Sequence, residues 1–119
     1  WTTKEGIETV EISIRDAAPF RIISLTGDVD LHSSPQARQA ILDAIKLQQP
    51  LLVELSAVSY MDSSGVASLV EGYQAARKQG TEFGLADVSP KAMSVLKLAR
   101  LDRVFPIHAS VEARLARVD

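Results

Sequence analysis

Short apolar segments with a period of two alternate along this chain with longer ones whose apolar residues recur every three or four positions. That alternation narrows the possible folds more than any single residue does, because strands and helices taking turns argue for a mostly parallel sheet with crossover helices. Val10, Ile12 and Ile14 interleave with Glu11, Ser13 and Arg15, the pattern of a half-buried strand. Asp16 to Pro19 interrupts it, and Phe20 to Leu25 predicts a second strand, forming a hairpin with the first. Thr26-Gly27-Asp28-Val29-Asp30-Leu31-His32 is rich in polar turn formers and is expected to be a loop.

Ser34 followed by Pro35 predicts a helix start, an N-cap hydroxyl and then a residue whose missing N–H costs nothing in the first turn. The helix is expected over Ser34–Gln48, with Ala37, Ala40, Ile41, Ala44 and Ile45 on its apolar face and Pro50 behind it. Leu51 to Leu55 is a short apolar run of the kind found in a central strand covered on both faces. A second helix is expected over Ser64–Gln79, with Val66, Leu69, Val70 and Tyr73 inward and Gly80 as its C′ residue. Phe83 and Leu85 mark another strand. Ser89–Ala99 repeats the serine-proline start, with Ala92, Met93, Leu96 and Ala99 inward. Val104 to Ile107 reads as a short edge strand limited by Pro106, and Ser110–Val118 as a closing helix. The predicted order is β-β-α-β-α-β-α-(β)-α, an α/β fold with a mixed sheet of four or five strands and about four helices.

The 119 residues suit one domain, 1–119, with neither an internal repeat nor a linker. With 46% hydrophobic and 24% charged residues, the chain has enough apolar material to exclude disorder. No apolar stretch approaches the roughly 18 residues of a membrane span. The absence of cysteine excludes disulfides and thiol chemistry, and His32 and His108 alone exclude a histidine-rich metal site. A net charge of −2 lacks the basic footprint of a nucleic-acid binder. The chain begins at Trp1 rather than Met, as a processed chain or a piece of a longer one would, and shows no signal segment, which makes the cytoplasm the default compartment.

Enzyme signatures are missing. The chain carries neither a glycine-rich phosphate loop nor HExxH nor GxSxG. Ser63, His108 and an aspartate make a triad only on paper, and Asp28 with Asp30 does not complete a calcium-loop pattern. Trp1, His32, His108 and the cations Arg100, Arg103, Arg114 and Arg117 read as terminal, loop, structural and solvated helix-face residues respectively. The informative segment is Tyr60-Met61-Asp62-Ser63-Ser64-Gly65-Val66, small residues between a strand and an amphipathic helix. Asp62 or Ser63 can cap the unpaired N–H groups there, which explains the string structurally. The functional reading is that a serine at a helix start is an accessible hydroxyl where a phosphate is tolerated.

Taken together, Gly27-Asp28-Val29-Asp30 and, about thirty residues later, Asp62-Ser63-Ser64-Gly65 resemble the two motifs of the STAS domain, and more narrowly of the bacterial anti-sigma factor antagonists, over essentially the whole chain. Val66 and Ala67 stand where that family usually has Leu and Gly. The resemblance implies that Ser63 takes the place of a phosphorylated serine, with Asp30, Asp62, Ser64 and Gly65 forming a surface for a partner and kinase. It further implies an anti-sigma factor that is itself a serine kinase using ATP and Mg²⁺, bound when Ser63 is free and released when it is phosphorylated, and a phosphatase that resets the switch. On that reading the domain is a substrate and binding module, not an enzyme, and needs neither cofactor nor metal of its own. A non-phosphorylated STAS scaffold, in a lipid-transport complex or a sensory assembly, is the alternative, with a small-molecule or nucleotide sensor a third class.

Overall fold

The computed structural model describes residues 10–117. Strand β1 (Val10–Ala17) turns tightly into β2 (Phe20–Val29), followed by α1 (Ser34–Lys46), β3 (Leu51–Met61), α2 (Ser63–Gln79), β4 (Phe83–Ala86) and α3 (Pro90–Leu98). A 3-10 turn at Leu101–Arg103 leads to β5 (Ile107–His108) and α4 (Val111–Leu115). The five strands lie in sequence order, with β1 antiparallel to β2 and every other pair parallel. The expected mixed α/β sheet with four helices is what the described residues form.

Alternation along the inner strands divides the core. Ile23, Leu25, Leu51, Val53, Leu55 and Leu85 join Ile41 of α1, Leu69 and Ala76 of α2, and Ala92 and Leu96 of α3 in one large cluster. Ile22, Leu52 and Ala86 point the other way, against Phe20 and Val111 of α4. Leu51, Leu52, Val53 and Leu55 are fully buried, so β3 is the central strand. Gly72 lets α1 and α2 meet closely, since a Cβ there would lie 2.5 Å from Ile41 Cγ2.

Several boundaries differ from expectation for physical reasons. β2 does not end at Leu25 but runs through Thr26–Val29, and β3 continues to Met61, because the two strands keep pairing in parallel as far as Val29 and Met61. Ser56, Ala57, Ser59 and Tyr60 are exposed, so that end of the sheet lacks the apolar signature of its middle. The ladder slips between Gly27 and Asp28, and Gly27 takes a positive φ of 98°, which favours glycine. Helix α1 stops at Lys46, and Gln48 is left-handed at φ 62°. Its cap position is Ser33 rather than Ser34. Gly80 ends α2 in the left-handed conformation, at φ 81°. β5 pairs at Ile107 and His108 rather than from Val104, because Pro106 has no N–H to donate; its carbonyl still accepts from Leu85 N at 2.9 Å. In α3, Met93 is only half-buried and Ala99 lies exposed at the helix end.

Helix α4 spans Val111–Leu115 rather than Ser110–Val118, of which Val118 lies outside the described residues, as does Trp1. Arg114 is not a solvated helix-face residue. It is buried, donates to both carboxylate oxygens of Glu82 at 2.7 and 2.8 Å, and sits 4.8 Å over the Phe20 ring. The Arg114 guanidinium holds the Glu82 carboxyl below its ordinary 4.5, while burial pushes His108 below its ordinary 6.5. Both groups therefore hold fewer protons folded than unfolded, and stability is fully present only above the unfolded values. In urea titrations at stepped pH, the midpoint is expected to fall first as acid protonates unfolded-state His108 below about 6.5, and again as Glu82 protonates below about 4.5. A midpoint that rises on acidification between those values would contradict this account.

Candidate functional site

The carboxyl ends of β2 and β3 are adjacent; the first polar motif forms the end of β2 and the turn after it, and the second follows β3 directly. Asp62 joins them. Its Oδ1 accepts from Ser64 N at 2.9 Å and Gly65 N at 3.2 Å, capping α2, while its Oδ2 accepts from Leu31 N at 3.1 Å in the other motif. Its backbone N–H donates to Val29 O at 3.3 Å. The choice left open by sequence, Asp62 or Ser63 as cap, falls to Asp62; Ser63 is the first residue of the helix and is exposed.

Asp30 organises the turn into α1. Its Oδ1 accepts from His32 N at 3.0 Å, Ser33 N at 3.1 Å and Ser33 Oγ at 3.1 Å. Those bonds, the Ser33 N–H foremost, lower the carboxyl below its ordinary range, so Asp30 is an anion. Ser33 Oγ also donates to Asp28 O at 2.8 Å and accepts from Asp30 N at 2.9 Å, so it ties the turn shut rather than capping α1 with its side chain. Asp28 is held separately, its Oδ1 accepting from Ser59 Oγ at 3.0 Å. Ser33 and Ser59 are the members of this network that sequence reasoning missed. The signal for Ser33 was present, since a serine three residues after an aspartate is a recurrent side chain-to-backbone turn motif. Ser59 is brought in only by the β2–β3 register.

The remaining motif residues differ in availability. Gly65 is buried where the start of α2 lies against β2, and Ser64 is half-buried, with its carbonyl accepting from Ser68 Oγ at 3.2 Å. Ser63 is thus exposed at the positive end of a 17-residue helix, directly after Asp62, whose carboxylate is committed to backbone N–H groups of both motifs. The paper triad does not assemble: His108 Nε2 is buried against Gly84 without a hydrogen bond. Asp28 and Asp30 use their carboxylates on different partners, and among the described residues no three metal-ligating side chains converge. No helix among them is long and apolar enough to cross a membrane.

Comparison with known proteins fits this arrangement, with the STAS domain profile matching residues 9–113. The chain belongs to the STAS family. This STAS domain is 29% identical over 89 residues to an anti-sigma F factor antagonist of Paenibacillus polymyxa, covering 73% of this chain and 76% of that one. It is 27% identical over 90 residues to the anti-sigma-B factor antagonist of Bacillus subtilis, covering 76% and 83%. Its fold superposes on the crystal structure of an anti-sigma factor antagonist from Mycobacterium paratuberculosis with a TM-score of 0.82 at 27% identity, covering 90% of this chain and 92% of that one. The fold alone does not choose a role, since a sulfate transporter family protein from Wolinella succinogenes shares it at a TM-score of 0.72 and 18% identity.

Asp62 is the structural keystone of the STAS site, so its removal should be felt in stability. Asp62→Ala withdraws an acceptor from three backbone N–H groups and is expected to cost about 1–2 kcal/mol. Asp62→Asn retains one capping oxygen and should lose clearly less. Urea midpoints of the two variants measure the difference, and equal losses would mean that capping is not what Asp62 contributes.

Proposed function

We propose that this STAS domain is an anti-sigma factor antagonist switched by phosphorylation of Ser63. Unphosphorylated, it binds an anti-sigma factor through the surface around Asp30, Asp62, Ser64 and Gly65, and thereby frees a sigma factor in the cytoplasm. The bound anti-sigma factor, acting as a serine kinase, phosphorylates Ser63 and is released, and a phosphoserine phosphatase restores the binding form. The domain is the substrate and the binding partner in this cycle, not the catalyst.

The observation that carries the reading is the exposure of Ser63 at the first position of α2, in a motif whose other members are capped, packed or half-buried. Two relatives named as anti-sigma factor antagonists support the partner class. Kinase assays with labelled ATP and the cognate anti-sigma factor test it. The wild-type chain is expected to incorporate phosphate and Ser63→Ala to incorporate none. Because Asp62 supplies the cap, Ser63→Ala should change stability by no more than about 0.5 kcal/mol, so a negative result would not reflect unfolding. Unimpaired incorporation into Ser63→Ala would move the acceptor elsewhere, with Ser64 the first candidate.

A further inference from the structure

Among the described residues, strand β1 is an outermost strand of the sheet, eight residues long and free of proline, with Ile14 48% exposed. Long edges of this kind are templates for pairing with another strand. The outward residues of β1 fall into two sets. Glu11, Ser13 and Arg15 lie on one face, where Arg15 approaches Glu54 at 3.7 Å. Ile12 and Ile14 lie on the other, where Ile14 borders an open groove with Ala40 and Ala44 of α1 and with Leu47 just beyond it, itself 54% exposed.

We propose that β1 pairs antiparallel with β1 of a second copy of this chain, on a two-fold axis through Ser13, joining the two sheets into one. That register sets Glu11 opposite Arg15 of the second copy and Ile12 opposite Ile14, each twice by symmetry, with Val10 opposite Asp16 at the ends of the pairing. Neighbouring same-strand registers lose this complementarity. Centring on Glu11 or Arg15 opposes like charges, and centring on Ile12 or Ile14 leaves Glu11 and Arg15 without each other. A shift that exchanges faces sets the isoleucines against the charged row. The strand is thus complementary to itself in one register, which is why a second copy is the occupant.

The antiparallel arrangement puts the two Ser63 sites at opposite ends of the continuous sheet, so each copy keeps its own site open. One strand pair per copy is a small interface, and the dimer is weak, with dissociation in the micromolar range or above.

Sedimentation equilibrium at low salt on the full chain tests this. The wild-type mass should climb from 12.9 kDa toward twice that value as concentration rises toward millimolar. Glu11→Arg and Arg15→Glu each place like charges opposite one another, and should each weaken self-association by about tenfold or more. Mixed in equal amounts, the two variants restore opposite charges at both positions and should associate again as a heterodimer. Circular dichroism checks that both fold, since Arg15→Glu also faces Glu54. A wild-type chain that stays monomeric throughout would overturn the proposal. So would single variants that associate as well as wild type, or a mixture that fails to recover.

Discussion

Phosphorylated at Ser63, the domain is expected to lose its anti-sigma partner by about 100-fold or more in affinity while its own fold barely changes. A phosphoserine adds about −1.5 to −2 charges at pH 7. At the start of α2 the helix dipole favours that charge by about 0.3–1 kcal/mol, partly offset by the neighbouring carboxylates of Asp62 and Asp30. These contributions are small and opposed, so they give the domain little reason to rearrange. The interface is different. Burying a dianion against a partner without a matching cation costs several kcal/mol, and about 2.7 kcal/mol already amounts to 100-fold. Amide NMR spectra of the two forms should therefore differ near residues 28–34 and 60–68 and agree elsewhere, while titration calorimetry records the lost affinity. Shifts spread over the whole sheet would replace this electrostatic account with an allosteric one, and unchanged affinity would end the phospho-switch reading.

Gly65→Ala is expected to destabilise the domain by about 1–3 kcal/mol, although alanine is the better helix former by about 1 kcal/mol. The added Cβ would stand 2.5 Å from Val29 O and 2.9 Å from Met61 Cγ. The carbonyl is backbone of β2 and also accepts from Asp62 N, so it can move only by disturbing the junction of the two motifs. Steric overlap outweighs helix propensity. Thermal denaturation followed by circular dichroism should show a midpoint lowered by about 4 °C or more for each kcal/mol lost. Displacing α2 also moves Ser63, so phosphate incorporation should fall in the same variant. A midpoint equal to or above wild type would mean that α2 has slack against β2 that the packed geometry does not suggest.

Much of this arrangement follows from the sequence alone, and the division has a physical basis. The alternation of Val10, Ile12 and Ile14, the run Leu51–Leu55, and the periodic faces of α1 and α2 specify strands and helices because burial is repetitive, and repetition is local information. Gly80 and the Ser89-Pro90 start are legible for the same reason, since caps depend on neighbours in the chain. The site was legible as two polar motifs that the family resemblance sets on one surface, but the contacts that join them were not. Asp62 reaching Leu31 N, Ser59 reaching Asp28 and Gly65 packing under Val29 all span more than thirty residues, and exist only once β2 and β3 pair. The polar ends of those strands read as loop because exposure on both faces of β3 erases the apolar pattern while the backbone pairing continues through its register shifts. Arg114 misled for the converse reason. A cation near the chain end reads as solvated until tertiary structure supplies Glu82 and the Phe20 ring to make its burial favourable. Local periodicity thus determined the elements and their order, whereas contacts between residues far apart in sequence decided which side chains share a site and which charges are buried.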